Sequence, residues 1–327
     1  MSIDIYSHAC PIDFLEAVQA LYPSAESGAL GKRPLLYDTD ARVRFMDEHE
    51  IEIQVLVLVR PPLWLGMPRQ IMHRLVRDAH EGIARMVASR PDRFVGVAVA
   101  PRVDDRIMEE VRYAWRDLGL TGVQIFTNIE GAPVDIEEMW PLYAAAAADG
   151  QPVWIHPQHN PHGYPWLTES LLDRSLGWPF DTTVAVTRLI YAGVLDRYPQ
   201  LRFITHHLGG MVPYVAPRLE AFDEEIADFT RDGLAAAGKA SLRRPLGDYL
   251  RSFYGDTAIS AGAATLACGI GFFGLSQVAF GTDFPMGAGG GTRWTGQILK
   301  AIAETLPDRA QRAQVLSGNA RQLLGLD

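Results

Sequence analysis

The stretch Ile3-Asp4-Ile5-Tyr6-Ser7-His8 is a short apolar run that ends in a histidine, and similar runs recur along the chain. Runs rich in Val, Ile and Phe alternate with segments of helical periodicity, as expected of a parallel sheet covered by helices. The runs lie at residues 3–5, 53–59, 94–98, 122–126, 153–155, 203–205, 252–255 and 278–280. This alternation predicts an α/β fold, the (β/α)8 TIM barrel.

Helical periodicity fills the intervals between these runs. The predicted helices are residues 41–49, 71–89, 106–118, 136–149, 182–198, 214–228 and a closing region, 292–324, that Pro307 interrupts. Residues 10–37 and 158–179 interrupt this alternation of strands and helices. They are predicted insertions after the first and fifth strands. Such insertions commonly form the active-site rim of a barrel, and Trp178 in the second is a candidate substrate-binding residue. Because no linker divides the chain, residues 1–327 are predicted to form a single domain.

Composition and charge exclude several kinds of partner. The chain carries a net charge of -9 and has a pI near 5.5, so it offers no obvious basic surface for nucleic acid. Its apolar stretches are too short to cross a membrane, and residues 1–6 do not resemble an export signal. Cys10 and Cys268 are too few for a disulfide framework. These features predict a cytoplasmic protein that binds a small molecule.

Ionisable residues follow four of the eight runs. They are His8, His156, the pair His206-His207, and Asp283. One histidine at a strand end is more often structural, but the carboxyl ends of barrel strands converge on one face, and four occurrences there favour an active site. Neutral imidazoles and a carboxylate suit Zn²⁺ or Mn²⁺, with one position left open for water or substrate. The sequence therefore predicts an enzyme with a metal site, provided that the fold brings these distant residues together.

Several motifs spread over almost the full length support a family resemblance. They are Asp4-Ile5-Tyr6-Ser7-His8, Arg42-Val43-Arg44-Phe45-Met46-Asp47, Arg90-Pro91-Asp92-Arg93-Phe94, Gly122-Val123-Gln124-Ile125, Trp154-Ile155-His156-Pro157, His207-Leu208-Gly209-Gly210 and Gly281-Thr282-Asp283-Phe284-Pro285. Through them the chain resembles the amidohydrolase-superfamily branch (amidohydrolase-2 type) that contains 2-amino-3-carboxymuconate-6-semialdehyde decarboxylase and γ-resorcylate decarboxylase. The resemblance implies a barrel of the metal-dependent hydrolase type.

The resemblance also implies roles for the strand-end residues. His156 and Asp283 are implied metal ligands with His8, and His207 is an implied catalytic residue that handles protons or activates water. Asp283 is a second candidate for the catalytic role. His207 is preferred to His206 because the functional histidine of the family directly precedes its glycines, so His206 is interpreted as structural. No organic cofactor is implied.

The first strand departs from the family pattern. The family begins with His-x-His, or with Glu in place of the first His, whereas this chain has Tyr6-Ser7-His8. Positions 6 and 8 share a strand face, so Tyr6 is expected where the first ligand usually lies. A protonated phenol, with an ordinary pKa of about 10, is a poor ligand. Three arrangements are open: Tyr6 binds as a phenolate, only His8, His156 and Asp283 bind, or the metal is lost. We favour the second and keep Tyr6 as a candidate catalytic residue.

Two arginines bear on the substrate. Arg42 matches a family arginine that holds the substrate carboxylate, and Arg218 matches one that the neighbouring subunit supplies. A guanidinium can grip a carboxylate through two parallel hydrogen bonds. If both roles apply, the substrate is an organic acid and the enzyme is a homodimer or higher oligomer; the alternative for each arginine is a structural or surface ion pair.

Three functions are compatible with these features. The leading hypothesis is a carbon–carbon lyase that decarboxylates an aromatic or unsaturated, muconate-like acid without an oxidant, using a mononuclear divalent-metal site. The metal or Tyr6 would polarise a substrate oxygen, and His207 or Asp283 would deliver the proton. The second hypothesis is a hydrolase, with or without metal, acting on a lactone, ester or amide. The third is a non-catalytic barrel, which the replacement of the first histidine by Tyr6 favours.

Overall fold

The computed structural model describes residues 1–59, 66–231, 242–260 and 262–326. Its strands are β1 (Ser2–Ala9), β2 (Ile51–Leu58), β3 (Phe94–Gly96), β4 (Ala98–Val99), β5 (Val123–Phe126), β6 (Asn128–Ile129), β7 (Ala132–Pro133), β8 (Val153–His156), β9 (Phe203–Thr205), β10 (Tyr254–Asp256) and β11 (Val278–Ala279). Strands β6 and β7 form a small antiparallel hairpin, and the others pair in parallel. Each of the eight predicted runs overlaps a parallel strand.

The parallel strands close into a barrel. They run in the order β1-β2-β3 and then β4-β5-β8-β9-β10-β11. Val97 alone separates β3 from β4, and its N–H donates to Leu56 O over 3.1 Å, so β3 and β4 share one strand position. At the seam, Ile5 N donates to Phe280 O over 2.8 Å, and Asp283 N donates to Tyr6 O over 3.1 Å. The predicted (β/α)8 barrel is confirmed.

Helices cover the outside of the barrel. In the described ranges the α-helices are α1 (Ile12–Leu21), α2 (Ala25–Gly31), α3 (Thr39–Glu48), α4 (Arg69–Ser89), α5 (Asp105–Arg116), α6 (Trp140–Ala148), α7 (Trp178–Tyr191), α8 (Val194–Arg197), α9 (Val212–Arg231), α10 (Leu246–Leu250), α11 (Ala263–Phe273), α12 (Thr292–Thr305), α13 (Arg309–Ala313) and α14 (Asn319–Leu324). None of them combines the length and the apolarity that a membrane crossing requires.

The predicted helices are present. The structure differs from the prediction in that one predicted helix is divided in two and several further helices occur. The region 182–198 is divided between α7 and α8 by Gly193, whose φ of 78° is left-handed and ends the first helix. Helices α1, α2, α10 and α11 were not predicted. The first two lie in the insertion 10–37, and α11 is almost entirely apolar, so its sequence shows no contrast between a buried and an exposed face.

Inward-facing residues of the strands fill the barrel interior, and a register shift between Asp4 and Ser7 lets the adjacent residues Ile5 and Tyr6 both take part. Side chains from seven strand positions pack in one cluster: Ile3, Ile5, Tyr6, Val55, Val57, Val97, Trp154, Ile204, Ala279 and, less buried, Tyr254. A second, larger cluster lies between the strands and the helices. Since successive side chains alternate across a strand, residues two positions after an interior residue also point inward, at the carboxyl ends of the strands.

Asp4 joins the two sides of the barrel seam. Its carboxylate accepts hydrogen bonds from Thr282 N (3.0 Å), Thr282 Oγ1 (2.6 Å) and Gln54 Nε2 (3.1 Å), so one side chain connects β1 to β2 and to the segment after β11. Complete burial raises the pKa of Asp4 to about 7, and the hydrogen bonds from Thr282 and Gln54 only partly oppose this rise. In the folded state Asp4 therefore keeps its proton at mildly acidic pH, where an ordinary aspartate is ionised.

The raised pKa predicts a pH-dependent contribution of Asp4 to stability. Below about pH 4, the unfolded-state pKa, the carboxyl is protonated in both states, and its favourable contribution is fully present. As pH rises toward 7 only the unfolded carboxyl ionises, so the free energy of unfolding falls, by up to about 4 kcal/mol. Relative to Asp4→Asn, the wild type should lose stability between pH 4 and pH 7 in urea unfolding. Asp92→Asn, at an exposed position, is the control, and a pH-independent difference for Asp4→Asn would contradict the argument.

Candidate functional site

Strand alternation places three histidines at one mouth of the barrel. His8 follows Tyr6 by two positions, His156 follows Trp154, and His206 follows Ile204, and each earlier residue belongs to the interior cluster. The three histidines are therefore the next inward-facing residues of β1, of β8 and of the segment after β9. Asp283 joins them from the segment after β11, with a left-handed φ of 61°. The predicted convergence of strand-end residues is present in the structure.

These side chains form two overlapping groups, each close enough to hold a metal ion. His8 Nε2 is 3.1 Å from Asp283 Oδ1, and His206 Nε2 is 3.5 Å from the same oxygen. Each of His8, His156 and His206 offers a ring nitrogen within 4.8 Å of the other two. His206, His207 and Asp283 form a second such group. The predicted ligands His8, His156 and Asp283 are thus gathered at one place.

The electrostatics of these groups suit a divalent cation. Burial lowers the pKa of His156 well below its ordinary value, as do the neighbouring histidines, so the ring is neutral. Its Nδ1 lies 2.5 Å from Pro157 O, which leaves Nε2 free to bind an ion. Burial acts to raise the pKa of Asp283, but His206, His207 and His8 together hold it well below its usual range. Neutral imidazoles beside an ionised carboxylate are a donor set for Zn²⁺ or Mn²⁺.

Four aromatic rings stack in a column beside these ligands. The Tyr6 ring lies on His206 at 3.9 Å between centroids and 11° between planes, His206 lies on His207 at 3.8 Å, and His207 faces Trp178 at 6.3 Å. Burial and the charges of Asp256 and Asp283 raise the pKa of Tyr6 well above 10. Tyr6 is therefore a neutral phenol, buried at the bottom of the column, and its hydroxyl finds no hydrogen-bond partner among the described residues.

His206 and Asp256 form a buried pair that the sequence interpretation missed. His206 Nδ1 makes a short hydrogen bond with an Asp256 carboxylate oxygen, and both side chains are fully buried. Burial opposes protonation of His206, but Asp256 and then Asp283 raise its pKa to about 9 in the metal-free protein. The signal was present in the sequence, because strand alternation from Ile204 points to His206 rather than to its neighbour. His207 follows out of register, with a left-handed φ of 53°.

A cavity of about 940 Å³ opens above these residues. Its charged and aromatic lining residues are His8, His156, His207, Asp283, Arg33, Arg174, Trp178 and Trp294. Trp178, at the start of α7, lines the cavity wall, while Tyr6 and His206 lie below it, and the substrate-binding role of Trp178 stays a prediction. A volume of this size is typical of sites for small organic ligands.

Arg42 does not have the predicted role in substrate binding. Its guanidinium is fully buried and donates to His8 O (2.6 Å), Leu35 O (2.9 Å), Ser7 Oγ (2.9 Å) and Gln54 Oε1 (2.9 Å). Burial lowers its pKa to about 9. Burial leaves no guanidinium surface for a ligand, although Arg42 Nε has no hydrogen-bond partner among the described residues, so the geometry makes Arg42 a structural residue that holds the end of β1 in place. The motif showed where Arg42 lies in the chain but not which way its side chain points.

Arg218 lies outside the cavity of its own chain. It is exposed on α9, where its guanidinium lies over the Phe222 ring at 4.8 Å. A role in the site of a neighbouring subunit therefore stays a prediction.

The sequence of this chain is similar to those of known proteins. The sequence model of the family described as Amidohydrolase matches residues 37–326. The chain is 28% identical over 303 residues to 2-amino-3-carboxymuconate-6-semialdehyde decarboxylase of Dictyostelium discoideum, covering 89% of this chain and 77% of the relative. It is 28% identical over 311 residues to a γ-resorcylate decarboxylase of a Polaromonas species, covering 90% and 89%.

A solved structure is similar over nearly the whole chain. It is a dihydroxybenzoic acid decarboxylase from a Polaromonas species, with bound manganese and the inhibitor 2-nitroresorcinol. The TM-score is 0.79 at 25% identity, and the match covers 99% of this chain and 97% of the other.

The contacts of Arg42 predict a loss of stability on substitution. Arg42→Met should lower the free energy of unfolding by about 3 kcal/mol or more, because the buried acceptors of Gln54, His8 and Leu35 lose their donors. Arg44→Met, at an exposed position of the same helix, should change it by no more than about 0.5 kcal/mol. Urea unfolding measures both. An unchanged midpoint for Arg42→Met, together with a raised KM, would restore the substrate-binding role.

Proposed function

The chain belongs to the amidohydrolase family, and on that premise we propose that it decarboxylates an aromatic or unsaturated carboxylic acid with the help of one divalent metal ion. One observation carries the proposal: His8 Nε2 and Asp283 Oδ1 lie 3.1 Å apart, next to His156, in the wall of a cavity of about 940 Å³. The relatives named above are decarboxylases, which favours a carboxy-lyase over a hydrolase. The bound manganese of the Polaromonas enzyme favours Mn²⁺ or a similar ion.

His8, His156 and Asp283 would hold the ion. When bound there, a divalent cation supplies Lewis-acid polarisation of a substrate oxygen. The low pKa of Asp283 keeps this carboxylate charged, which fits a ligand better than a proton donor. Tyr6 is buried below the cavity, and its placement gives no support to its predicted role in polarising the substrate.

His207 is the proposed proton donor. Decarboxylation breaks the bond to the carboxylate carbon, releases carbon dioxide and leaves an electron pair on the substrate carbon, which then takes a proton. His207 lines the cavity, and burial together with the charge of His206 lowers its pKa, so its resting ring is neutral and has one unprotonated nitrogen that can take up a proton from solvent. Its Nε2 lies 4.0 Å from Asp283 Oδ2, close to the proposed metal ligands. The protonated ring would pass this proton to the substrate carbon and return to its neutral form, so that each turnover consumes one solvent proton.

Arg33 and Arg174 replace Arg42 in the proposed recognition of an anionic substrate. Both line the cavity, whereas Arg42 is buried beneath it. Arg174 lies 5.6 Å from the centre of the Trp178 ring, and Arg33 Nη1 lies 3.2 Å from Met286 Sδ. Two positive charges at the entrance would attract a carboxylate, and Trp178 and Trp294 offer apolar surface to an unsaturated ring.

Assembly and location are part of the proposal. We propose a homodimer in which α9 lies at the interface, because Arg218 stands there beside the exposed rings of Tyr214 and Phe222. In this arrangement Arg218 would reach toward the partner's cavity.

The unpaired thiols of Cys10 and Cys268 are compatible with the predicted cytoplasmic location.

The proposed reaction predicts carbon dioxide release that depends on metal. The purified enzyme should release carbon dioxide from at least one member of a panel of hydroxybenzoates and muconate semialdehydes. Chelation should abolish the activity, and Mn²⁺ or Zn²⁺ should restore it. Asp283→Asn should lose at least about 100-fold in kcat while its circular dichroism spectrum is unchanged. No release from any acid, alongside turnover of lactones or esters, would favour the hydrolase instead.

The cavity arginines predict an effect on substrate affinity. Arg174→Gln should raise KM for the acid by about 3- to 10-fold with little change in kcat, since its charge attracts the substrate without touching the reacting carbon. The difference should shrink at 0.5 M salt, where exposed charges are screened. Arg309→Gln, an exposed arginine on α13, is the control for the change in net charge. Equal KM values for Arg174→Gln and Arg309→Gln would assign the carboxylate to another residue.

A further inference from the structure

We propose that His206 is a fourth ligand of the metal ion, and that it supplies from the segment after β9 the imidazole that Tyr6 does not supply from β1. The inference rests on the proposed function, because it concerns the same metal centre.

The position of the His206 ring suits a ligand. Its Nε2 is buried, lies 3.5 Å from Asp283 Oδ1, and has no hydrogen bond to any part of the chain that the structure describes. Leaving a buried ring nitrogen without a partner costs free energy, and a bound cation removes that cost. His206 lies below the cavity wall, so this nitrogen faces the ligand group and not the substrate.

The spacing of the rings agrees with a shared ion. The centroids of His8, His156 and His206 are 5.0, 5.5 and 5.7 Å apart. Imidazoles bound to one ion through bonds of about 2.1 Å have centroids roughly 4.6–5.3 Å apart, for angles between 90° and the tetrahedral value. Ligand atoms on such an ion lie about 3.0–3.4 Å apart, close to the distances from Asp283 Oδ1 to His8 and His206. Small movements would therefore bring His8, His206 and Asp283 to these distances.

Asp256 orients His206 for this role. Its carboxylate takes the hydrogen bond of His206 Nδ1 and also accepts from Ala258 N (2.9 Å) and Leu208 N (3.3 Å). A histidine ligand commonly donates its second N–H to a carboxylate in this way, which fixes the tautomer and directs the other nitrogen at the metal. Asp256 is therefore a positioning residue.

Tyr6 has a different role from the histidine that it replaces. Its ring is nearly parallel to His206 at 3.9 Å, while His207 covers the other face at 3.8 Å, so the two clamp the His206 ring. The aromatic ring matters for this contact and the hydroxyl does not. Tyr6→Phe should therefore keep the metal.

Metal affinity tests the assignment. The dissociation constant for Mn²⁺ is measured by electron paramagnetic resonance of the free ion in wild type, His206→Asn, His207→Asn, Asp256→Asn and Tyr6→Phe, with circular dichroism to check folding. His206→Asn should weaken binding by about 100-fold or more and Asp256→Asn by about 10- to 100-fold. His207→Asn, the matched control on the adjacent residue, and Tyr6→Phe should stay within about threefold of wild type. Wild-type affinity in His206→Asn, or metal loss in Tyr6→Phe instead, overturns the inference.

A second measurement applies even if His206→Asn does not fold. Pulsed electron paramagnetic resonance of the Mn²⁺-loaded wild type, labelled with ¹⁵N-histidine, counts the bound imidazoles. Three are expected, from His8, His156 and His206, and a count of two overturns the inference while leaving the proposed function intact. If the wild type binds neither Mn²⁺ nor Zn²⁺, this inference and the metal-dependent reaction both fail. Three imidazoles in an enzyme that releases no carbon dioxide would refute only the proposed reaction.

Discussion

The seam between the first and last strands is the constraint on which the site depends. Asp4 and the backbone of Ile5 and Tyr6 bind the segment from Phe280 to Asp283, and this closure brings two ends of the chain together. His8 and Asp283 are 275 positions apart in sequence, and their side chains meet at 3.1 Å only because the seam is closed. Arg42 reinforces the arrangement, because it holds His8 O and lies 4.9 Å from the ring of Phe284, the residue after Asp283.

Much of the barrel could be predicted because its strands are short apolar runs and its helices are mostly amphipathic. The prediction failed for α11, whose uniform apolarity gives no periodic signal, for α1 and α2, which lie in an insertion, and for α10, which has only five residues. Among site residues, strand-end position was sufficient to find His8, His156 and Asp283. Arg42 was misassigned because a motif match does not show whether a guanidinium points at a ligand or at backbone carbonyls.

The choice between His206 and His207 shows a sharper limit of motif reasoning. The glycines after Leu208 mark the family's functional histidine but do not exclude a role for its neighbour. Alternation along β9 makes His206 the inward residue, and the turn formed by the left-handed backbone at His207 and Leu208 carries His207 up to the cavity. Both histidines lie at the mouth of the barrel, His207 in the cavity wall and His206 below it, so the position of one does not exclude a role for the other.

The charges of the buried carboxylates connect metal binding with substrate binding. Two buried carboxylates, Asp256 and Asp283, converge on His206, and a divalent cation would balance their charge. Without the cation, the Asp283 carboxylate at the cavity wall would repel the carboxylate of an approaching acid, and the positive charges of Arg33 and Arg174 lie too exposed to offset a buried repulsion. With the cation in place the wall becomes attractive to an anion. The same ion that would polarise the substrate would therefore also favour the binding of an acid.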